Sequence, residues 1–175
     1  MRVLVGAVIG LVVAVAGAAF VLGRGKEQAP LPATAQADSI LIEKSRHRLT
    51  LYRDGQVLRS YAVALGSGGL DAKTREGDRK TPEGHYHIDS RNPHSAFHLA
   101  LHVSYPETQD VAAAKARGQD PGGEIMIHGI RNGMGWLSGW HRVMDWTAGC
   151  VAVTDTEIEE IWRVVPNGTP VDIQR

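Results

Sequence analysis

The chain has 175 residues, with nineteen acidic and nineteen basic side chains and a formal net charge of zero. No basic stripe interleaved with aromatics is present, which excludes a nucleic-acid-binding surface. A single cysteine excludes an internal disulfide framework.

Residues 3–22 are apolar apart from small residues, with Arg2 before them and Arg24 and Lys26 after. That run is long enough to span a bilayer and longer than the apolar part of a typical cleavable signal. Residues 1–23 are therefore expected to be an inner-membrane anchor in preference to a signal segment, with the rest of the chain on the periplasmic or extracytoplasmic face. Residues 24–38 are small and polar and contain Pro30 and Pro32, the composition of a flexible linker. Residues 39–175 remain as one domain of ordinary size.

That domain opens with strands over 39–44 and 49–53. Asp54-Gly55 is a hairpin turn signal, and 56–65 returns. Residues 85–89 alternate as a further strand. Phe97, Leu99, Leu101 and Val103 alternate with His98, Ala100, His102 and Ser104, which predicts a half-buried strand. A helix is expected over 108–117, closed by Gly118. Residues 124–128 read as a short strand ending in His128, with Ile125 and Ile127 facing one way and Met126 and His128 the other. A Gly- and Trp-rich loop follows over 129–146, and Trp136, Trp140 and Trp146 predict a lid packed on the domain. Residues 150–153 read as extended. Thr154 and Glu157 form a capping box, so a helix starts near Asp155, with Ile158, Ile161, Trp162 and Val165 as its buried stripe. A strand over 170–173 closes the chain. Strands dominate and do not alternate regularly with helices, so a mainly β fold with a few helices is expected.

Cys150 carries the functional signal. An unpaired thiol outside the cytoplasm is a liability unless its chemistry is used. A cysteine nucleophile needs a base, oxyanion donors and close access of the backbone to substrate. His128 is the candidate base, since a strand-end histidine and Cys150 bracket one loop. Backbone N–H groups around Cys150 are candidate donors, and Gly149 allows the close approach. The thiol lies about 10 Å or more from the start of the following helix, too far for the helix dipole to activate it strongly. His94, His98 and His102 recur every four residues. On a strand, however, His98 and His102 stand about 13 Å apart, too far for one zinc ion. Neither metal nor cofactor is expected.

The ordered set of His128, Gly129, seventeen further residues and then Thr147-Ala148-Gly149-Cys150 resembles the L,D-transpeptidase (YkuD-type) catalytic domain. The stretch GDRKTPEGHY over 77–86, the His102-to-Pro106 segment and the helix after Cys150 resemble that family as well, so the likeness covers about 39–173. The resemblance implies a β-sandwich-like catalytic domain with Cys150 as nucleophile and His128 as base. It implies a third member, Gly129, acting through its backbone carbonyl. Two positions depart from the usual pattern. Ala148 stands where a histidine is usual, and Ala152 where a polar residue is usual. The Thr-Ala-Gly-Cys form looks more like a branch that includes peptidoglycan–lipoprotein amidases. Thr147, His141, Arg142 and Trp146 are the remaining substrate-binding or oxyanion candidates, with Arg131 and Asp145 nearby. The implied activity is cysteine acyl transfer on peptidoglycan peptide stems in the cell envelope, with an envelope lipoprotein as a further candidate partner. Hydrolysis by the same fold, a non-catalytic envelope-binding module and a metallohydrolase are the competing readings.

Overall fold

The structure is a computed structural model and describes residues 29–175. The expected anchor at 3–22 lies outside the described residues, as does the start of the expected linker. Among the described residues no helix is long and apolar enough to cross a membrane.

Leu31–Arg175 form one compact unit. Strands β1 (Ser39–Glu43), β2 (Arg48–Arg53) and β3 (Gln56–Ala62) make an antiparallel meander. Asp54 and Gly55, with φ of 51° and 73°, supply its hairpin turn. Strand β4 (Gly84–Ser95) joins two halves of the sheet. Its first part pairs with β8 (Pro170–Gln174), which lies parallel to β1, and its second part pairs with β5 (His98–Val103). Strands β6 (Met126–His128) and β7 (Val151–Ala152) complete the order β3-β2-β1-β8-β4-β5-β6-β7. The two ends of this sheet then meet. Ala64 and Ala152 exchange backbone hydrogen bonds of 3.0 and 2.8 Å, and Gly66 bridges to Thr147. The result is the mainly β, sandwich-like domain that the strand pattern and the family resemblance imply.

Helix α1 (Thr108–Ala116) is peripheral, whereas α2 (Asp155–Val164) closes the core over β5 and β6. The capping box of α2 forms as the sequence predicts. Thr154 Oγ1 accepts from the Glu157 amide at 3.3 Å, and Glu157 Oε2 accepts from the Thr154 amide at 2.9 Å. Ile158, Ile161 and Val164 bury against Leu101, Ile127 and Val151. Each such side chain contributes about 1.5–3 kcal/mol relative to exposure.

Three features differ from the sequence pattern. First, β4 runs on to Ser95 because β5 supplies a pairing partner for a stretch too polar to read as a strand. Second, His98 has φ of 66° at the hairpin end, which turns its ring to Glu159 (Nε2–Oε1 2.8 Å), while His102 meets Asp89. The expected common face for His98 and His102 is lost to that turn. Third, much of the segment expected as a flexible linker is tied down. Leu31 and Ala37 are buried, the Leu31 amide donates to Glu160 Oε1 at 2.7 Å, and the Ala37 amide donates to the Val164 carbonyl at 2.8 Å.

Lys44 is fully buried at the end of β1. Its Nζ donates to the carbonyls of Asp71 (3.0 Å) and Thr81 (2.8 Å) and to Glu83 Oε1 (2.9 Å), which uses all three of its hydrogens. Burial holds its pKa below the ordinary lysine value, against the opposing pull of Glu83. Lys44→Met keeps the bulk but strands three acceptors. It is expected to destabilise the domain by roughly 2–4 kcal/mol, read as a lower urea midpoint at unchanged slope.

Candidate active site

Parallel pairing of β6 with β7 sets the site. Ile127 lies opposite Val151 and His128 opposite Ala152, and the Val153 amide donates to the His128 carbonyl at 3.0 Å. Ile127 and Val151 face the core. Alternation then sends Met126 and His128 to the other face, together with Cys150 and Ala152. Cys150 stands one strand across and two residues along from His128, roughly 8 Å between α-carbons by ordinary strand geometry. The two side chains that the sequence paired are thus on one face, with Ala152 beside His128 on β7 and Ala100 beside it on β5.

His128 is buried and held from several sides. Its ring lies 4.6 Å from that of Phe97 and 5.8 Å from that of Trp146, centroid to centroid. Nδ1 is 2.6 Å from the Gly129 carbonyl. A carbonyl only accepts, so Nδ1 carries the hydrogen, and in the neutral ring Nε2 keeps the basic lone pair. Gly129 does have the carbonyl contact that the family resemblance implies. It also has no room for a side chain, since a Cβ would sit 2.8 Å from Asp155 Oδ1.

The turn carrying Cys150 is stitched by Thr147. Its Oγ1 donates to the Cys150 carbonyl at 2.7 Å and accepts from the Gly149 amide at 3.1 Å. That second bond engages one of the N–H groups around Cys150 expected as oxyanion donors. Gly149 has φ of 134°, and a Cβ on it would lie 2.8 Å from the Lys80 carbonyl. The glycine is therefore required by protein packing from the 77–86 segment, whatever its part in substrate access. Within that segment Asp78 accepts from the amides of Thr74, Arg75 and Lys80 and from Lys73 Nζ. Burial raises its pKa, but these donors outweigh it and bring the carboxyl down to about 2.

The 129–146 loop contains 3-10 turns over Gly135–Val143, broken at Ser138 (φ 45°, ψ −133°). Only part of it packs. Trp146 is half-buried against His128, but Trp136 and Trp140 are 77% and 51% exposed, so the lid expectation holds for one tryptophan of three. Asp145 anchors the loop to the sheet, accepting from the Leu65 amide (2.8 Å) and meeting His47 Nε2 (3.0 Å). The Arg142 guanidinium is engaged by Glu157 on α2, and Arg131 is exposed. His141 is buried, with Nδ1 3.4 Å from Trp146 Nε1. Burial, reinforced by Arg142, brings its pKa down to about 4, so it is neutral at physiological pH.

Sequence reasoning missed Phe97 as a wall for His128 and Glu124 as a neighbour of the thiol. The Cys150 S–H donates to the Glu124 carbonyl at 3.4 Å. Nothing local signals either contact, because each joins residues far apart in the chain. Among the described residues no group of three His, Cys, Asp or Glu is placed to hold a metal ion.

Burial raises the Cys150 pKa. The Met126 backbone amide opposes that, the Glu124 charge adds to it, and Lys73 lowers it. Burial likewise lowers the His128 pKa, partly offset by the Gly129 carbonyl. Both shifts favour a neutral thiol beside a neutral imidazole.

A mainly β domain with a strand-end histidine and a turn-borne cysteine on one face defines the class. The chain belongs to the YkuD family, the L,D-transpeptidase catalytic domain, whose family model matches residues 37–173. It is 33% identical over 132 residues to YafK of Escherichia coli (strain K12), covering 72% of this chain and 46% of that protein. It thus spans about half the length of the curated relatives it matches. Among solved structures it is similar to the helical cell shape determining protein Pgp2 of Campylobacter jejuni, with a TM-score of 0.61 and 24% identity, covering 81% of this chain and 49% of that one. Bd1075 of Bdellovibrio bacteriovorus gives a TM-score of 0.57 at 26% identity, covering 84% and 51%.

Two outcomes follow from the geometry. Gly149→Ala is expected to lower stability by about 2 kcal/mol or more as well as reactivity, because a methyl group must displace the Lys80 backbone. Thermal unfolding beside iodoacetamide labelling measures both. The labelling rate of the wild type is expected to rise with pH through a midpoint above the ordinary thiol value of about 8.5. A midpoint well below that value would show a preformed thiolate.

Proposed function

We propose that the protein is a cell-envelope cysteine acyltransferase acting on peptidoglycan peptide stems, with Cys150 as nucleophile and His128 as general base. The observation that carries this reading is the His128 Nδ1 bond to the Gly129 carbonyl, which leaves Nε2 basic on the face shared with Cys150. Family membership supports the reaction class, and the cell-shape name of Pgp2 supports the cell wall as its setting.

At rest the thiol hydrogen points to the Glu124 carbonyl. Rotation about χ1 of Cys150 turns it toward His128 Nε2. As the sulfur attacks an amide carbonyl, Nε2 takes the proton and a C–S bond forms. The Gly129 carbonyl steadies the imidazolium that results. With the Gly149 amide bound to Thr147, the Cys150 amide is the nearer candidate for the oxyanion. The C–N bond then breaks, His128 returns its proton to the leaving amine, and a thioester remains. An amine acceptor gives a new amide, and water gives a carboxylic acid.

A second reading, hydrolysis of a stem or of a link to an envelope lipoprotein, is favoured by the two alanines. Ala148 is exposed at the turn and Ala152 is buried beside His128. Neither offers a polar group to deprotonate or orient an acceptor ammonium. His141 is neutral and Arg142 is tied to Glu157, so neither supplies the missing group in this arrangement.

Purified muropeptides incubated with the full chain and analysed by mass spectrometry test the proposal. Product is expected from the wild type, with hydrolysis measurable even when acceptor amine is present. Cys150→Ser should lower turnover by more than about a thousandfold at unchanged melting temperature. Wild-type turnover in Cys150→Ser would remove the nucleophile. No product from the wild type on any stem would favour the non-catalytic module. Ala148→His should raise the ratio of exchange to hydrolysis.

A further inference from the structure

The peptide unit between Gly129 and Ile130 is held at both edges. Its carbonyl oxygen accepts from His128 Nδ1 at 2.6 Å, and its N–H donates to Asp155 Oδ1 at 2.8 Å. The bond is trans, so C=O and N–H point in opposite directions within one rigid plane. Imidazole and carboxylate therefore face each other across a single peptide, at most about 8 Å apart at ordinary peptide dimensions. The Gly129 amide, in the preceding peptide, donates to the Phe97 and Leu99 carbonyls at 3.1 and 3.2 Å.

Asp155 is the first residue of α2, and two glycines make room for its carboxylate. A Cβ on Gly129 would lie 2.8 Å from Oδ1, and one on Gly135 would overlap Oδ2. The other charged groups on the elements around His128 are matched, Arg142 with Glu157 and His98 with Glu159. Cys150 and His141, which also stand near the imidazole, are neutral. Asp155 enters no ion pair among the described residues, and its partner is the Ile130 amide. A carboxylate that accepts from a peptide N–H polarises that peptide and makes its carbonyl oxygen a stronger acceptor. When His128 takes up a proton, the ring charge meets this carbonyl with an anion behind it.

We propose that Asp155 is a positioning residue for the base, acting on His128 through the Gly129–Ile130 peptide. It fixes the peptide plane, keeps the hydrogen on Nδ1 and supports the imidazolium that forms as sulfur attacks. The inference rests on the acyl-transfer reading above and supplies the carboxylate that a cysteine, a histidine and a backbone carbonyl lack among themselves.

The test replaces Asp155 by Asn in the full chain. Asparagine keeps an oxygen for the Ile130 amide and removes the charge. Asp155→Ser, smaller and also uncharged, is the second variant should the asparagine amide group crowd Gly135. Turnover of purified muropeptides is followed against pH. We expect kcat to fall about threefold to tenfold with KM within about twofold. The acid limb of kcat/KM is expected to move to lower pH by about half a unit or more, because imidazolium loses its anion. NMR titration of the His128 ring in the Cys150→Ser background should show the same downward shift. Glu159→Gln removes an exposed charge from the same helix and should leave both midpoint and rate as they are. Wild-type kcat and acid limb in Asp155→Asn would overturn the proposal. So would a lower rate at an unmoved limb, which a structural defect alone produces, or an equal shift in Glu159→Gln. The NMR midpoint is read without turnover. An inactive wild type whose His128 midpoint still moves in Asp155→Asn would therefore count against the acyl-transfer reading alone.

Discussion

The pairing of Ile127 with Val151 is the constraint on which the site depends. Strand β7 has two residues and β6 has three, so few ladder bonds hold them in register. A slip of one residue would turn Cys150 into the core and bring Val151 to the outer face. Several contacts oppose that slip. Ala64 bonds both ways to Ala152 on the far side of β7, Thr147 closes the turn onto the Cys150 carbonyl, and Val153 reaches the His128 carbonyl. Behind them, Ile158 and Ile161 of α2 bury against the inward face. The short strands are therefore fixed by what surrounds them more than by their own pairing.

The electrostatics of the pair follow from the same packing. Phe97 and Trp146 exclude water from His128, which keeps the imidazole neutral, and burial keeps the thiol protonated. An ion pair waiting at rest would need donors or charges to offset desolvation of both partners. The Gly129 carbonyl favours imidazolium, but it is one contact against burial on every side. In the proposed reaction, proton transfer is then coupled to attack on the substrate, when charge passes to the developing oxyanion. A neutral resting thiol is also less readily oxidised than a thiolate.

The sequence carries some of this arrangement openly. The Thr154–Glu157 box fixes the start of α2, and the alternation over 124–128 puts His128 on the face opposite Ile127. Cys150 and His128 are legible because one is unpaired and the other ends a strand across one loop. Lys44 was not legible. A lysine at a strand end reads as solvent-facing, and the three acceptors that bury it come from Asp71, Thr81 and Glu83, far along the chain. The Asp89–His102 contact was hidden for a related reason. Alternation assigns a face to His102 but not a neighbour, and the bulge that presents Asp89 has no local signature. Gly149 reads from the sequence as a place where substrate comes close to the backbone, yet the group that fills the space above it is the Lys80 carbonyl, brought there by the fold.

That last contact gives the 77–86 segment a physical role. Asp78 gathers three amides and an ammonium into a rigid turn, and Lys44 holds the Thr81 carbonyl from below. Thr81 Oγ1 in turn accepts from the Gly66 amide at 3.1 Å, next to the bridge from Gly66 to Thr147. The Lys80 carbonyl is thereby pressed against Gly149, one residue from the thiol. Most of the basic side chains on this flank spend their charge on the turn, in Lys73–Asp78 and Lys80–Asp71, while Arg79 reaches the Trp146 carbonyl. The opposite flank holds Asp89, paired with His102, and Glu124, which enters no ion pair among the described residues.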